Sequence, residues 1–568
     1  MLKKNPWLPG IAALVILAGS VSTAAVAAVT PEWTVDDSAL PANYEAGNLN
    51  DVDCPSDDSC QAVGHFSSLS AGNPVTPLIK SWNGTTWSVA ASGPLPSDYV
   101  NSAGLNAVTC VEDDACQAVG SYVTTGANNP QFPMVQAWDG AQWTVTASSQ
   151  SSLPPDFYTG WLADVACGSA TSCQAVGAYQ ATDNLTYLLI MTTHDGAAWT
   201  STVPMPADYS GDGNLTSVTC ASALSCQAVG YYASIRPGQP YVPVFLRTMD
   251  AGLTWSLPLT TYPADADSST AVSDVDCGSV TSCHAVGQYT DIHVVYRTLI
   301  YTYDGTSWTP VVATDPVDLG TQATLYRIDC ASATSCKAAG YYKDDQGALR
   351  ALVESWDGTQ WSVTTLPSAI AGRLLLLTAV SCSSAISCVA VGSEGVGTSA
   401  AFAMTLSGTT WSAATLPGPV DQGSYSILVD ASCPSDATCQ AIGIYTRAGA
   451  GSPAFPLIES YQRPAAPASP PASTSASGSS STPRSAAAQA RNSASPTAAA
   501  TPTARPTPKP SSAGAGDPSP TVTSEPNAVT KPVVQPGLDW WWLVILLGGL
   551  AVIAILALTI RWRIRARS

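Results

Sequence analysis

The residues of this chain whose type and spacing could do chemistry are, first, sixteen cysteines in eight pairs six positions apart: Cys54 and Cys60, Cys110 and Cys116, Cys167 and Cys173, Cys220 and Cys226, Cys277 and Cys283, Cys330 and Cys336, Cys382 and Cys388, Cys433 and Cys439. Such pairs either ligate zinc or form disulfides. A structural zinc needs four ligands, and four histidines (His65, His194, His284 and His293) are too few to complete eight sites. A disulfide needs an oxidising compartment and Cβ atoms about 3.8 Å apart, as two residues facing each other near the closed end of a β-hairpin supply. The pairs therefore predict eight staples and no metal. Closing each seven-residue loop is worth about 2 kcal/mol in the chain-entropy account.

A second group recurs in related segments: LPANY from Leu40, LPSDY from Leu95, LPPDFY from Leu153, MPADY from Met205 and YPADAD from Tyr262. Aromatic rings beside carboxylates stack on sugars, hold cationic peptides or coordinate Ca²⁺. Asp98, Tyr99, Asp156, Phe157, Tyr158, Asp208 and Tyr209 are accordingly the candidate ligand-binding residues, and Ca²⁺ is the one cofactor the pattern admits. The competing reading is that Leu-Pro packs the start of each repeat while Asp and Tyr cap a turn. Catalysis has little support: there is no Gly-x-Ser-x-Gly elbow, no His-Glu-x-x-His and no phosphate loop. Residues 31–461 carry 38 acidic and 10 basic side chains, a formal balance of −28, which repels phosphate backbones and argues against a nucleic-acid partner.

The elements that must position these residues are short strands. The first cysteines of the pairs recur every 51 to 57 residues, a period of propellers and solenoids. In the first unit, Leu49–Cys54 and Cys60–Phe66 alternate apolar and polar residues around a Pro-Ser-Asp-Asp-Ser turn; Pro77–Trp82 reads as a third strand, and Trp87 opens a fourth after Asn83-Gly84. Four antiparallel strands make one propeller blade. Eight cysteine pairs stand against seven third-to-fourth-strand turns, and the last repeat lacks its tryptophan strand. Glu32-Trp33-Thr34-Val35 near the N-terminus matches the missing piece. The expectation is an all-β, eight-bladed β-propeller over residues 31–461, its N-terminal strand completing the last blade and removing an open edge.

The turns before the fourth strands read WNGTTW, WDGAQW, HDGAAW, YDGTSW, WDGTQW and LSGTTW, with a longer TMDAGLTW at Thr248–Trp255. The longer form resembles the Asp-box of bacterial secreted or membrane-anchored propellers of the sialidase (BNR) type, and the others look like trimmed relatives. The resemblance implies that the Asp caps the turn and the Trp packs between blades. It also raises a sialidase-like hydrolase as an alternative, since those enzymes use an arginine cluster, a Tyr nucleophile and paired acids. The seven arginines between residues 31 and 461 follow no pattern that assigns such a cluster.

The ends set the compartment. Residues 1–27 read as an export signal, with Lys3 and Lys4 ahead of an apolar run and small residues at Ala25-Val26-Ala27. Residues 462–537, rich in Pro, Ala, Ser and Thr, form a disordered stalk reaching roughly 200 Å if extended. Residues 541–560 carry no charge and suit a transmembrane helix, and the arginines of 561–568 predict a cytoplasmic tail. The sequence thus predicts a single-pass cell-membrane protein with an extracellular propeller that binds a protein or glycan. A propeller-type glycoside hydrolase or lyase and a purely structural wall spacer are the alternatives.

Overall fold

Each cysteine pair closes a hairpin, and these hairpins are the recurring unit of the fold. The second strand does not alternate as its sequence predicts but is buried continuously over Cys-x-Ala-Val-Gly, Cys60 to Gly64 in the first repeat, because its polar side chains also pack inside the sheets. The structure is a computed structural model; it describes residues 32–463 apart from 37, 71, 127, 148–151, 236–240, 312–314, 396–397 and 449–452. The residues expected to form an export signal (1–27), a stalk (462–537, from 464 on), a membrane span (541–560) and a basic tail (561–568) lie outside the described residues. Among those described, the one helix is the four-residue Ser368–Ala371, and no helix is long and apolar enough to cross a membrane.

After an N-terminal strand β1 (Glu32–Val35), the first sheet is built from β2 (Tyr44–Ser56), β3 (Ser59–Ser68), β4 (Val75–Trp82) and β5 (Trp87–Ala90), each antiparallel to the next. Seven more hairpins follow the same plan, from Tyr99–Glu112 with Ala115–Thr124 to Gln422–Ser432 with Thr438–Arg447. All eight pairs are disulfide-bonded, with Cα atoms 3.9–4.1 Å apart, and no described cysteine is free. The closeness follows from register: Cys110 lies directly opposite Cys116, and Cys167, Cys220, Cys277, Cys330 and Cys382 face their partners in the same way.

The glycine of Cys-x-Ala-Val-Gly has a steric cause. Every first strand carries a β-bulge, between Leu49 and Asp51 in β2, and it presses a backbone carbonyl onto the second strand. A Cβ on Gly64 would lie 2.1 Å from the Asn48 oxygen, and one on Gly120 2.0 Å from the Gly104 oxygen. No other residue fits there without moving the strands apart.

The fourth repeat departs from the plan. In place of a fourth strand it has a single bridge, Arg247 to Ser256, and the displaced Leu259–Thr260 pairs in parallel with Ser307–Val311 of the next sheet. This is the repeat with the longer turn, and the extra residues carry the chain past the usual pairing register.

Closure is visible in the pairing. β1 lies antiparallel to the Ala454–Gln462 strand, with Trp33 opposite Tyr461 as Trp87 is opposite Trp82 in the first sheet. Trp33 is buried, its ring 5.4 Å from that of Tyr461. The last sheet in turn packs on the first: Ile442 and Ile458 share one core cluster with Leu49, Val52, Trp82 and Trp87. Lys80 seals the junction. It is 3 % exposed and pairs with Asp36, just beyond β1, at 2.5 Å. A buried ammonium without that partner would be strongly disfavoured.

Candidate functional site

The hairpin side of each sheet carries turns whose polar groups are already engaged. The Oδ1 atoms of Asn83, Asp139, Asp195, Asp304 and Asp357 each accept two backbone N–H groups two and three residues ahead. Asp250, in the longer turn, accepts from the Thr254 N–H and hydroxyl and from the Thr248 hydroxyl. The glutamines of the repeated strand reach the neighbouring sheet: Gln117 donates to the Gly196 carbonyl and Gln174 to that of Ala251, while Trp87 donates to Gln440. His284 stands in for one of these glutamines. Its Nδ1 accepts from Trp361 Nε1 at 3.3 Å, and burial pushes its pKa down to about 4. The repeated motif thus joins sheets and leaves little free chemistry on this face.

The seven sequence-derived candidates lie at the opposite ends of the strands. The Tyr99 hydroxyl donates to the Val75 carbonyl (2.8 Å), and that of Tyr209 donates to the Thr186 carbonyl, each tying a repeat to the third strand of the one before. Asp98 accepts from the Thr124 hydroxyl (2.7 Å), Asp156 from Tyr179 (3.3 Å), and Asp208 from Tyr232 (2.7 Å) and Ser234 (2.9 Å). Phe157 is 4 % exposed, between Phe132 at 5.0 Å and Tyr179 at 5.7 Å. Tyr158 is half-buried and its hydroxyl accepts from Asn128. The candidates sit at the starts of three successive repeats, in line with an aromatic ladder that runs Tyr122, Phe132, Phe157, Tyr179, Tyr187, Tyr209, Tyr232 at centroid spacings of 5.0–6.4 Å. The Asp braces its own hairpin and the aromatic ring braces the neighbour. Replacing Phe157 with Ala is expected to lower unfolding free energy by about 3–5 kcal/mol, whereas Tyr158→Ala should change it by less than about 1 kcal/mol; denaturant melts of the two variants check the contrast.

A set of residues that the sequence reading missed lines the inner wall. Each first strand packs against the first strand of the next sheet, and the last packs against β2. Three positions before the first cysteine of each repeat stand Asp51, Ala107, Asp164, Ser217, Asp274, Arg327, Ala379 and Asp430. Asp51 accepts the Val108 N–H (2.7 Å), Asp164 that of Val218, Asp274 that of Ile328, and Asp430 that of Val52 across the closing seam. Asp53, Asp276 and Asp329, one position before the cysteine, clip the next repeat's Cys N–H in the same way. Burial pushes Asp53 and Asp164 up to about 6 and Asp329 to about 7. Asp51 is driven well above the usual carboxylate range by burial and by neighbouring Asp430. Arg327 faces Asp274 at 3.9 Å, and the surrounding aspartates Asp430, Asp51 and Asp164 also hold its charge. The signal was present as a column of the repeat, but its partners belong to other repeats.

Exposed apolar side chains mark the strand ends opposite the hairpin turns. Leu69, Leu185, Ile235, Ile292, Val317 and Val420 come from six different repeats, and Val317 and Val420 are fully exposed. On the hairpin face the exposed apolar residues concentrate in the fourth repeat, at Leu224, Met249 and Leu253. Among the described residues, no group of three or more His, Cys, Asp or Glu is arranged to hold a metal ion.

Consecutive antiparallel sheets, joined first strand to first strand around a closed wall, define a disulfide-stapled β-propeller. No family model and no curated protein sequence matches the chain. Among solved structures it is similar to YCF48 from Cyanidioschyzon merolae (13 % identity over 76 % of this chain and 98 % of that one, TM-score 0.36). It is also similar to the BP39L lectin from Burkholderia pseudomallei (12 %, 66 % and 99 %, TM-score 0.39) and to the propeller domain of the Trilobed protease from Pyrococcus furiosus (10 %, 66 % and 98 %, TM-score 0.37).

Proposed function

We propose that this chain is a single-pass cell-membrane protein whose eight-bladed propeller stands outside the cell on the 462–537 stalk and binds an extracellular protein or glycan. The 1–27 signal, the 541–560 span and the 561–568 tail belong to this reading. So does kinship of the Asp-capped turns to the Asp-box. The observation that carries it is the contrast between the two faces. Hairpin-face turns repeat one design with their polar groups internally bonded, whereas the opposite face, which repeats a proline turn at the start of its segments, carries exposed apolar tips whose residue type and position change from repeat to repeat. Variable loops on a rigid scaffold are where recognition concentrates.

Ligand contact at Asp98, Tyr99, Asp156, Phe157, Tyr158, Asp208 and Tyr209 is part of the proposal, with the more accessible Asp156 and Tyr158 its best probes. The test is binding of the ectodomain to a glycan array and to cell-wall fractions. Ser substitutions at Leu69, Ile235 and Ile292 should weaken binding at least tenfold, and Ser at Leu224, Met249 and Leu253 should leave it intact. The reverse outcome would assign recognition to the hairpin face.

A second reading is favoured by one feature of the inner wall. Asp51, its carboxyl pushed well above the ordinary range by burial and by Asp430, sits with that second carboxyl and with Arg327 nearby, and a carboxyl raised in this way is one of the groups a glycoside hydrolase uses. Turnover of a glycoside that disappears in Asp430→Asn would establish that activity.

A further inference from the structure

A cavity of about 520 Å³ opens at the seam where the ring closes, within the range of small-molecule sites, roughly 300–1,000 Å³. Three stretches far apart in sequence meet there: the segment after β1, with Asp36; the first blade, with Lys80; and the open end of the last hairpin, with Val420 and Asp421 before its first strand and Arg447 at the end of its second. We propose that this seam cleft binds a short neutral oligosaccharide. The inference rests on the reading of the variable face as the recognition face and names its ligand class.

Charge selects the class. Lys80 pairs with Asp36 at 2.5 Å in the floor, and Arg447 Nε meets Asp421 at 2.6 Å nearer the solvent, those two side chains being 40 % and 44 % exposed. Two cations and two carboxylates leave the cleft neutral inside a domain that is otherwise strongly acidic. Neither a polyanion nor a polycation is drawn to it. The exposed pair sets N–H donors beside carboxylate acceptors, and neighbouring sugar hydroxyls, each donor and acceptor at once, complement such a pair. The Arg447 guanidinium lies over the Phe455 ring, 3.7 Å from its centroid, which holds the donor fork in place before ligand arrives. Val420 supplies an exposed apolar wall for the C–H face of a sugar ring. An extended peptide finds little purchase: of the lining strands, β4, Thr438–Arg447 and Ala454–Gln462 are paired on both edges, and only the four-residue β1 keeps one free.

Because the three stretches meet only in the closed ring, a ligand here stabilises the closed state by mass action. The experiment uses the full-length chain in detergent with cellobiose, chitobiose, maltotriose and a ten-residue oligolysine as probes, read by thermal shift and by titration calorimetry. At 100 times Kd, at least one neutral sugar should raise Tm by about 3 °C. Asp421→Ala and Arg447→Ala should each weaken that binding at least tenfold. Val420→Trp should block it by filling the mouth, with Tm in the absence of sugar unchanged, so a folding defect in the first two variants does not remove the test. Three results would overturn the proposal: sugar binding unaffected by Val420→Trp, binding of oligolysine alone, or no response to any sugar. In the first case, loss of binding in the Ile235→Ser variant would preserve recognition by the variable face, whereas sugar binding abolished only by hairpin-face changes would remove both readings.

Discussion

Deleting residues 32–39 is expected to lower Tm by about 8 °C or more and to make the protein aggregate, while deleting residues 470–530 leaves Tm unchanged. The first deletion removes the strand that pairs Glu32 with Gln462 through Val35 with Glu459, and with it the buried Trp33. It also strips Lys80 of Asp36 and leaves a buried ammonium unpaired. An emptied tryptophan site costs about 3–5 kcal/mol, and an orphaned buried charge a further 3–5 kcal/mol. A ring of this size unfolds with an entropy of roughly 0.9 kcal/mol/K, at about 2.1 cal/mol/K per residue, which sets the shift. The Ala454–Gln462 strand would then present an open edge, the template for intermolecular pairing. Differential scanning calorimetry and light scattering on both variants decide the matter. Equal behaviour of the two deletions would refute closure by the N-terminal strand. Lys80→Met in the deleted background should recover part of the loss, because it removes the unpaired charge.

Stability is expected to peak near pH 5 and to fall by pH 8, with Tm lower by about 5 °C. Besides Asp53, Asp164 and Asp329 on the inner wall, burial pushes Glu354 up to about 8 and Glu459 up to about 7, and it raises Asp51, Asp274 and Asp276 as well. Glu354 and Glu459 occupy the third-strand position opposite the Ala of Cys-x-Ala, where Gln136 accepts the Gly93 N–H and Glu459 accepts that of Gly418. Each of these carboxyls holds its proton to a higher pH in the fold than in the unfolded chain. Their contribution is therefore complete below the ordinary carboxylate range and is lost as pH rises through 6 to 8. A pKa unit corresponds to about 1.4 kcal/mol, and the partial exposure of Asp51, Asp53, Asp164 and Asp329 reduces the inner-wall share. His284 acts in the opposite sense: held neutral down to about 4, it withdraws support as pH falls from the ordinary histidine range through that value. His65, which burial also lowers, acts in the same sense as His284, and two histidines against these eight carboxyls leave the optimum mildly acidic. Glu354→Gln should raise Tm at pH 8 and leave it unchanged at pH 5; a flat profile in the parent protein would contradict the assignment.

The sequence by itself determined the repeat, the staples and the split last blade, because each rests on local physics. Strand alternation, turn residues and a six-residue cysteine spacing report on neighbours within one hairpin, and a tryptophan strand missing at one end and present at the other is countable. The purpose of the Cys-x-Ala-Val-Gly glycine was not legible, since it answers to a carbonyl pressed down by a bulge in the facing strand. Nor was the engagement of Asp98, Tyr99, Phe157 and Tyr209, whose partners Thr124, Val75, Phe132 and Thr186 lie in a different strand or the preceding repeat. Only tertiary structure decided the inner wall, where Asp51 and Val108, 57 residues apart, meet because consecutive first strands stand side by side. It alone brought Asp36, Lys80 and Arg447 to one cleft, since that neighbourhood exists only once the two ends of the chain close the ring.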